Sequence, residues 1–463
     1  MLTSAYESYE AVRRLAAGDA VDQALDVTDP DAWIGVDVGV RELAWRRPEL
    51  FHSNASLSGW RLSWDWDASW PTVTWSRRPG DAELALALCH RDGRIREAAL
   101  AHAEERPALS ALIVIRCADW AGPVRERARA LLATVPAHRL AAHAALILRI
   151  GRRPRGGFAQ ELLTEALRAD PATHAVALLD SSDRATVRLA YRVAVERGLL
   201  PATRLAQTAA RHHDVVVRDL CAEAAVATLG EGTPGKFTEI VAPLLASRQP
   251  RVRSAGVTAL RRTGRHSDAE PYLTDRSALV RACARWVLRQ GGTDPAPLYR
   301  MLCAAPEERP AAAVGLGECG TREDADLIRP LLAHPVPGVR ACAVAGLRAL
   351  EAARVDDIRP LLEDPSAAVV RQATAALLPW ADHVPPQYLR QLLAEGHPRH
   401  QQVAAARLLW AAGVHSWAAA RERRHRPPLS TGSDWARPPD GTSSRRARLL
   451  TFHRRRTAPC PYR

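Results

Sequence analysis

From about Asp81 to Gly413 the apolar positions recur three and four residues apart, the spacing of helices with one buried face. One short pattern returns along this stretch: a small β-branched or apolar residue, an arginine, then an alanine-rich run with apolar residues at helical intervals. Its arginine falls at Arg96, Arg125, Arg188, Arg218, Arg253, Arg281, Arg340 and Arg371, with intervals of 29, 63, 30, 35, 28, 59 and 31 residues. Two intervals are close to double, which predicts degenerate copies near Gly157 to Glu161 and near Arg309 to Ala313. A fixed period of roughly 30 residues marks units that bury their apolar faces only against their neighbours.

The copy VDDIRPLLEDPSAAVVRQATAALLPW shows how one unit folds. Ile358, Leu361 and Leu362 share a face of a first helix that stops near Glu363. Asp364 is placed to cap a second helix with Pro365 at its first position, where a missing N–H costs nothing. Val369, Val370, Ala373 and Leu377 then make an i, i+3/i+4, i+7 stripe. The unit is a helical hairpin. Other copies reach a glycine near the end of the second helix, at Gly264, Gly291, Gly320 and Gly413, as suits a left-handed C-terminal cap.

Residues 1–79 lie outside the period. Asp29 to Ala44 reads as a helix with Trp33, Val36, Val40 and Leu43 on one side, and Trp60, Leu62, Trp64 and Trp66 then alternate with polar residues ahead of Val73 and Trp75. That alternation predicts a short hairpin or extended segment with an aromatic face. The expected role of this region is to cap the first repeat, whose core would otherwise face water. From Ala418 onward paired prolines, serines and runs of arginine give no helical period, so residues 418–463 are expected to be a basic, disordered tail.

The pattern of a D-P or D-x turn, then x-V-R-x-x-A-x-x-x-L, then L-G-x-x-G, resembles the HEAT repeat, in the short form of about 30 residues found in HEAT-like repeats of the phycobilisome-lyase type. The resemblance covers roughly ten units. It implies an all-α fold, an α-solenoid built as a right-handed superhelix of antiparallel helical hairpins: a Trp-rich N-terminal cap over residues 1–79, a solenoid over 80–417, and the tail over 418–463. In such proteins the repeat arginine and the turn aspartate form a stacked network between neighbouring repeats, and Asp92, Asp119, Asp214, Asp275 and Asp364 occupy the turns here. The eight repeat arginines are therefore assigned a structural role, and changing Arg281 is expected to lower stability more than any binding activity.

Charge counting by segment changes what the net +13 means. Residues 421–463 hold 12 arginines against Glu422, Asp434 and Asp440, so this tail contributes +9 and the other 420 residues only +4. Lys236 is the sole lysine and Asn54 the sole asparagine, a bias that weakens any argument from arginine over lysine. Eight scattered cysteines include no CxxC pair, which signals neither a disulfide framework nor a zinc site. The charged N-terminus and the lack of an 18-residue apolar run point to a cytoplasmic protein with no membrane span. No HExxH, phosphate-cradling GxxxxGK[ST] or GxSxG motif occurs, and no cofactor is implied.

Three functional readings follow. A non-catalytic scaffold would bind a protein or peptide partner along its inner surface. A nucleic-acid-binding solenoid would use the loop with Arg149, Arg152, Arg153 and Arg155 together with Arg445, Arg446, Arg448, Arg454, Arg455 and Arg456 of the tail, where Leu449, Leu450 and Phe452 sit between two arginine clusters. A base-excision enzyme of the HEAT-like glycosylase kind would rest on Asp119 and Trp120. The five tryptophans between Trp60 and Trp75 read as packing, and His212 and His213 as surface or capping residues. The scaffold reading fits best, because fold alone does not confer an activity.

Overall fold

A computed structural model describes residues 2–46, 60–63, 72–75, 78–230 and 234–424, with side chains described over 6–43, 78–230 and 237–413. The chain divides into two units, Met1–Ala376 and Leu377–Arg463, each taken by itself below.

In the first unit the periodic sequence becomes a run of helical hairpins. The second helices of the hairpins, eight of which begin just before a repeat arginine, are Gly93–Ala103, Gly122–Ala133, Gly157–Ala169, Arg184–Glu196, Val215–Ala227, Pro250–Arg262, Ala278–Gln290, Ala311–Cys319, Pro337–Ala349 and Ala367–Leu377. The third and eighth are the degenerate copies, so the two doubled intervals each conceal a complete hairpin. Successive second helices pack on one another and on the first helices between them, giving an all-α solenoid. The faces buried are the ones the stripes mark: Val369, Val370 and Ala373 are at most 1% exposed.

The first helices are less regular than the pattern suggests. Val355–Ile358 is one α-turn followed by a 3-10 segment, Arg359–Glu363, and Ala325–Ile328 is followed in the same way by Arg329–Ala333. Pro360 and Pro330 explain the change, since a proline inside a helix removes a hydrogen bond and clashes with the carbonyl four residues back. Ile358 and Leu362 are still fully buried, while Leu361 is only partly so. The second helix of this hairpin starts at Ala367, later than expected. Asp364 accepts the Ser366 N–H at 2.8 Å, so it closes the turn rather than capping the helix with Pro365 at its first position.

Of the four glycines expected in left-handed caps, only Gly264 has that conformation, with φ +70°. Gly291 passes it to its neighbour Gly292, φ +81°, Gly320 is extended, and Gly413 lies within a continuing helix. In the 337–349 hairpin the left-handed residue is Glu351 at φ 55°, where Ala352 N–H still reaches Leu347 O at 2.9 Å.

Residues 2–46 form the helices Leu2–Ala17, Val21–Ala24 and Pro30–Arg46. Trp33, Val36, Val40 and Leu43 are 8% exposed or less, as the sequence stripe predicts, and with Val12 and Leu15 they share one continuous core with Leu84, Leu88, Ile95 and Leu112 of the first hairpins. Trp60–Ser63 and Thr72–Trp75 pair antiparallel with Trp60 opposite Trp75, which is the expected hairpin. Trp64, Trp66 and Trp70 lie outside the described residues.

The second unit holds the 3-10 segment Leu378–His383 and the helices Pro386–Leu392 and Arg399–Arg424. The last runs through residue 424 and so enters the segment expected to lack regular structure. No helix among the described residues is long and apolar enough to cross a membrane.

Candidate interaction surface

The repeat arginines make two kinds of contact, and the first is within their own hairpin. Arg96 Nη1 donates to the carbonyls of His90 and Arg91 at 2.7 and 2.9 Å, Arg340 Nη1 to His334 and Pro335 at 2.7 and 2.9 Å, Arg253 Nη1 to Ser247 at 2.9 Å, Arg281 Nη1 to Asp275 at 2.8 Å and Arg125 Nη1 to Asp119 at 2.9 Å. The guanidinium therefore satisfies turn carbonyls five and six residues before it, groups that the end of the first helix and the turn leave without a backbone partner.

The second contact links one repeat to the next. Arg96 forks onto Asp119 at 2.9 and 2.7 Å, Arg253 onto Asp275 at 2.8 Å twice, and Arg340 onto Asp364 at 2.7 and 2.9 Å, while Arg188 Nε reaches Asp214 at 3.0 and 3.1 Å. Arg281 pairs with Glu318 instead, joined by Arg285 at 2.6 Å, and Arg300 takes Asp324 at 2.7 Å. The acceptors Glu318 and Asp324 had no periodic signal; Glu318 could have been found only as the single acidic residue in AAAVGLGEC. Three copies depart from the scheme, the first being Arg125, which bonds its own turn carbonyls and no carboxylate among the described residues. Arg218 finds Ser247 where other repeats carry aspartate in the following turn, and Arg371 is exposed; among the described residues neither forms an ion pair.

Burial works to raise the carboxyl pKa values of Asp119, Asp214 and Asp275. The guanidinium hydrogen bonds and turn amides outweigh it and hold all three below the ordinary carboxylate range. At Asp324 the Arg300 hydrogen bond is the leading cause of the same shift.

The densest part of this network joins the N-terminal helices to the first two repeats. Arg96 and Arg116 are at most 1% exposed and Asp37 and Asp119 at most 5%. Arg116 bonds Asp119 at 3.0 Å and also Asp37, and Arg41 adds a 2.9 Å contact to Asp37. This geometry places Asp119 in an internal ion-pair network. Both Asp119 oxygens are occupied, by Arg96, Arg116 and the Ala121 N–H at 3.0 Å, so no lone pair is directed at solvent where a nucleotide would sit. Trp120 is 66% exposed, and the Arg96 guanidinium lies 5.6 Å from its ring centroid.

Histidine at the turn has a defined task. His90, His212 and His334 each accept, through Nδ1, the N–H two residues on, at 3.0, 3.0 and 3.1 Å. Ser247 and the aspartates 119, 275 and 364 do the same in other turns. An Nδ1 that accepts cannot carry a proton, and burial lowers the His90 pKa to about 4 and shifts His212 in the same direction. His213 stacks on His212 with centroids 4.4 Å apart.

The proposed anion contacts are only partly grouped. Arg152, Arg153 and Arg155 are exposed in the turn after Ala144–Ile150, with Arg155 at φ 67° and its carbonyl taking Arg129 Nη2 at 2.9 Å. Arg149 belongs to the helix and pairs with Asp31, which takes it out of that set. Arg445, Arg446, Arg448, Arg454, Arg455 and Arg456 lie outside the described residues. A shallow cavity of about 460 Å³ beside Arg149 is lined by Asp29, Asp183, Arg184 and Ser181 among others, with the two charge signs balanced. No group of His, Cys, Asp or Glu suited to a metal ion occurs among the described residues.

What the repeats do expose is apolar surface at the turns that open four of the ten second helices. Trp120, Val215, Val216, Leu279 and Val336 are 38–66% exposed and all lie two to five residues before a repeat arginine. These are equivalent positions of the repeat; Arg281 and Arg340 are fixed both to their own turn and to the next repeat, and Arg125 to its own turn. Exposed Arg251 and Arg276 occupy comparable positions.

No protein-family model and no curated protein matches the chain. Solved structures that align with it include an engineered protein, 17% identical over 72% of this chain and 98% of its own, with TM-score 0.22. Kap121p is 12% identical over 92% of this chain and 52% of its own, TM-score 0.27. The C-terminal fragment of the cohesin loader SCC2 from Chaetomium thermophilum is 13% identical over 88% and 38%, TM-score 0.34. The chain thus spans about half of Kap121p and less of the SCC2 fragment.

Proposed function

We propose that the protein is a non-catalytic repeat scaffold that binds a protein or peptide partner along its solenoid. The observation that supports this reading is the set of exposed apolar side chains at the turns that open the second, fifth, seventh and ninth second helices, at equivalent positions two to five residues before a repeat arginine. Large apolar side chains left exposed at repeated positions are candidate partner contacts. These positions favour the turn edge over the inner surface generally as the partner site, for an apolar or amphipathic segment. The HEAT-like, phycobilisome-lyase-type signature is consistent with this reading and adds no chemistry to it.

The test uses the full chain and a variant with Trp120→Ala, Leu279→Ala and Val336→Ser, each at an exposed position. Proteins captured by the wild type at cellular concentration should be lost by the variant while its melting temperature is unchanged; equal capture would reject the turn edge. Nucleic acid is the second reading, resting on exposed Arg152, Arg153 and Arg155. Replacing these and the six tail arginines by glutamine should abolish duplex DNA binding and its salt dependence if that reading holds. A wild type that binds no DNA at low salt would end it.

A further inference from the structure

Outside the tail, positive charge is concentrated in two adjoining hairpins. Residues 248–289 hold ten arginines against Asp268, Glu270 and Asp275, a net +7, while residues 1–420 carry only +4, so the rest of that span is net −3. Five of the ten are committed to carboxylates: Arg253 to Asp275, Arg265 to Asp268, Arg251 to Asp219, and Arg281 with Arg285 to Glu318. The other five, Arg248, Arg261, Arg262, Arg276 and Arg289, are exposed, and none of them pairs with a carboxylate among the described residues.

Three of these five gather at one end of the Pro250–Arg262 and Ala278–Gln290 helices, which pack on each other. Arg261 turns toward the second of them, its guanidinium 5.3 Å from the Trp286 ring centroid. Arg262 leans the other way, Nη1 donating to Val226 O on Val215–Ala227 at 3.4 Å. Arg289 follows Trp286 by three residues, on the same side of its helix. The ring and the carbonyl hold two guanidinium groups in place and leave most of their five N–H donors unused. Two helix C-termini supply about half a negative charge each, which offsets only part of the three arginines.

Carboxylates bound this patch on both sides, Asp219 and Glu223 on Val215–Ala227 and Glu318 on Ala311–Cys319. A nucleic-acid strand, charged about every 3.4 Å, would run onto them if it followed the stack. A short run of acidic residues fits within the two helices, which together are about 20 Å across.

We propose that Arg261, Arg262 and Arg289, set around Trp286, form a docking site for a short acidic segment of a partner protein, whose carboxylates the guanidinium forks accept as paired ligands. The proposal rests on the scaffold reading only in taking a protein as the partner. Its residues lie about 15 Å along the helix from Leu279 of the turn edge.

The probe is a fluorescein-labelled octaglutamate, titrated by anisotropy against the full chain with its six tail arginines replaced by glutamine, which removes the competing cations. It should bind, and more weakly as salt rises. Adding Arg261→Gln, Arg262→Gln and Arg289→Gln should weaken binding about tenfold with the helical circular dichroism unchanged, the order expected for three exposed charge contacts. Adding Arg152→Gln, Arg153→Gln and Arg155→Gln instead removes equal charge elsewhere and should leave affinity unchanged. The turn-edge variant in the same background should also bind normally, so failure of that edge and failure of this patch are separate results. No binding by the parent, equal binding by the patch variant, a loss with either control set, or tighter binding of a thymidine octanucleotide than of the peptide would each overturn the proposal.

Discussion

Arg96 and Arg371 occupy the same place in the repeat pattern and opposite environments. Arg96 is wholly buried between His90, Arg91 and Asp119, whereas Arg371 is exposed. Removing one member of a buried, hydrogen-bonded ion pair leaves the other without compensation, so Arg96→Ala should lower unfolding free energy by about 3–5 kcal/mol, measured by urea denaturation. Arg371→Ala should change it by no more than about 0.5 kcal/mol; equal losses would show that the ion pair is not what makes Arg96 matter. His90 gives the residue-scale pH dependence. Its folded pKa of about 4 lies below an unfolded value of about 6.5, so between these values the unfolded chain binds a proton the native one refuses. Stability should therefore fall as pH drops from about 6.5 toward 4, ahead of the loss below about 4 that the depressed carboxylates bring. Asn supplies an acceptor that does not titrate, and His90→Asn should flatten the first part of this decline. The sequence marked the arginines and the turn aspartates, but that the partner is the next turn's carboxylate could not be read from intervals.

At the scale of elements, close approach is decided by glycines whose sequence context says little. In Ala311–Cys319, a Cβ at Gly317 would stand 2.5 Å from Gly346 O in Pro337–Ala349, and one at Gly315 would enter the Tyr299 ring. The two helices cross backbone to backbone, which only glycine permits. Gly317→Ala should force them apart at a cost of about 1–3 kcal/mol in thermal or denaturant unfolding, and a neutral outcome would mean the crossing relaxes freely. Tyr299 is held in place by its hydroxyl, which donates to Leu273 O at 2.7 Å. The hairpins, the helix at 30–46 and the Trp60–Trp75 pairing were all legible because each has a local period. Shortened first helices and relocated left-handed caps were not, since a proline's effect and a glycine's φ depend on the turn geometry around them.

Among the described residues the ion pairs of the repeat arginines form a ladder with gaps after Arg125 and after Arg218, and Arg371 at its end forms none. The second has a one-residue explanation: Ser247 stands where Asp119, Asp275 and Asp364 stand in other turns, and it already accepts the Gln249 N–H at 3.2 Å. Ser247→Asp should keep that bond, supply a partner for Arg218 and raise stability by about 1 kcal/mol, visible as slower amide exchange in Val215–Ala227 and Pro250–Arg262. A loss of stability would show that the guanidinium cannot reach. Continuity of the ladder also bears on function, because binding distributed over several repeats requires that neighbouring turns keep their spacing.

The sequence by itself determined the all-α repeat architecture, the number of hairpins including the two degenerate ones, and the concentration of positive charge in the tail. Each of these depends on periods and counts that survive without any contact between distant residues. Tertiary structure decided which charges are spent and which surfaces are left. Pairing across 22 to 37 residues turns repeat arginines and Asp119 into internal fasteners, and leaves Arg261, Arg262 and Arg289 exposed with no carboxylate partner among the described residues. Local propensity cannot specify these outcomes, because burial belongs to the assembled stack.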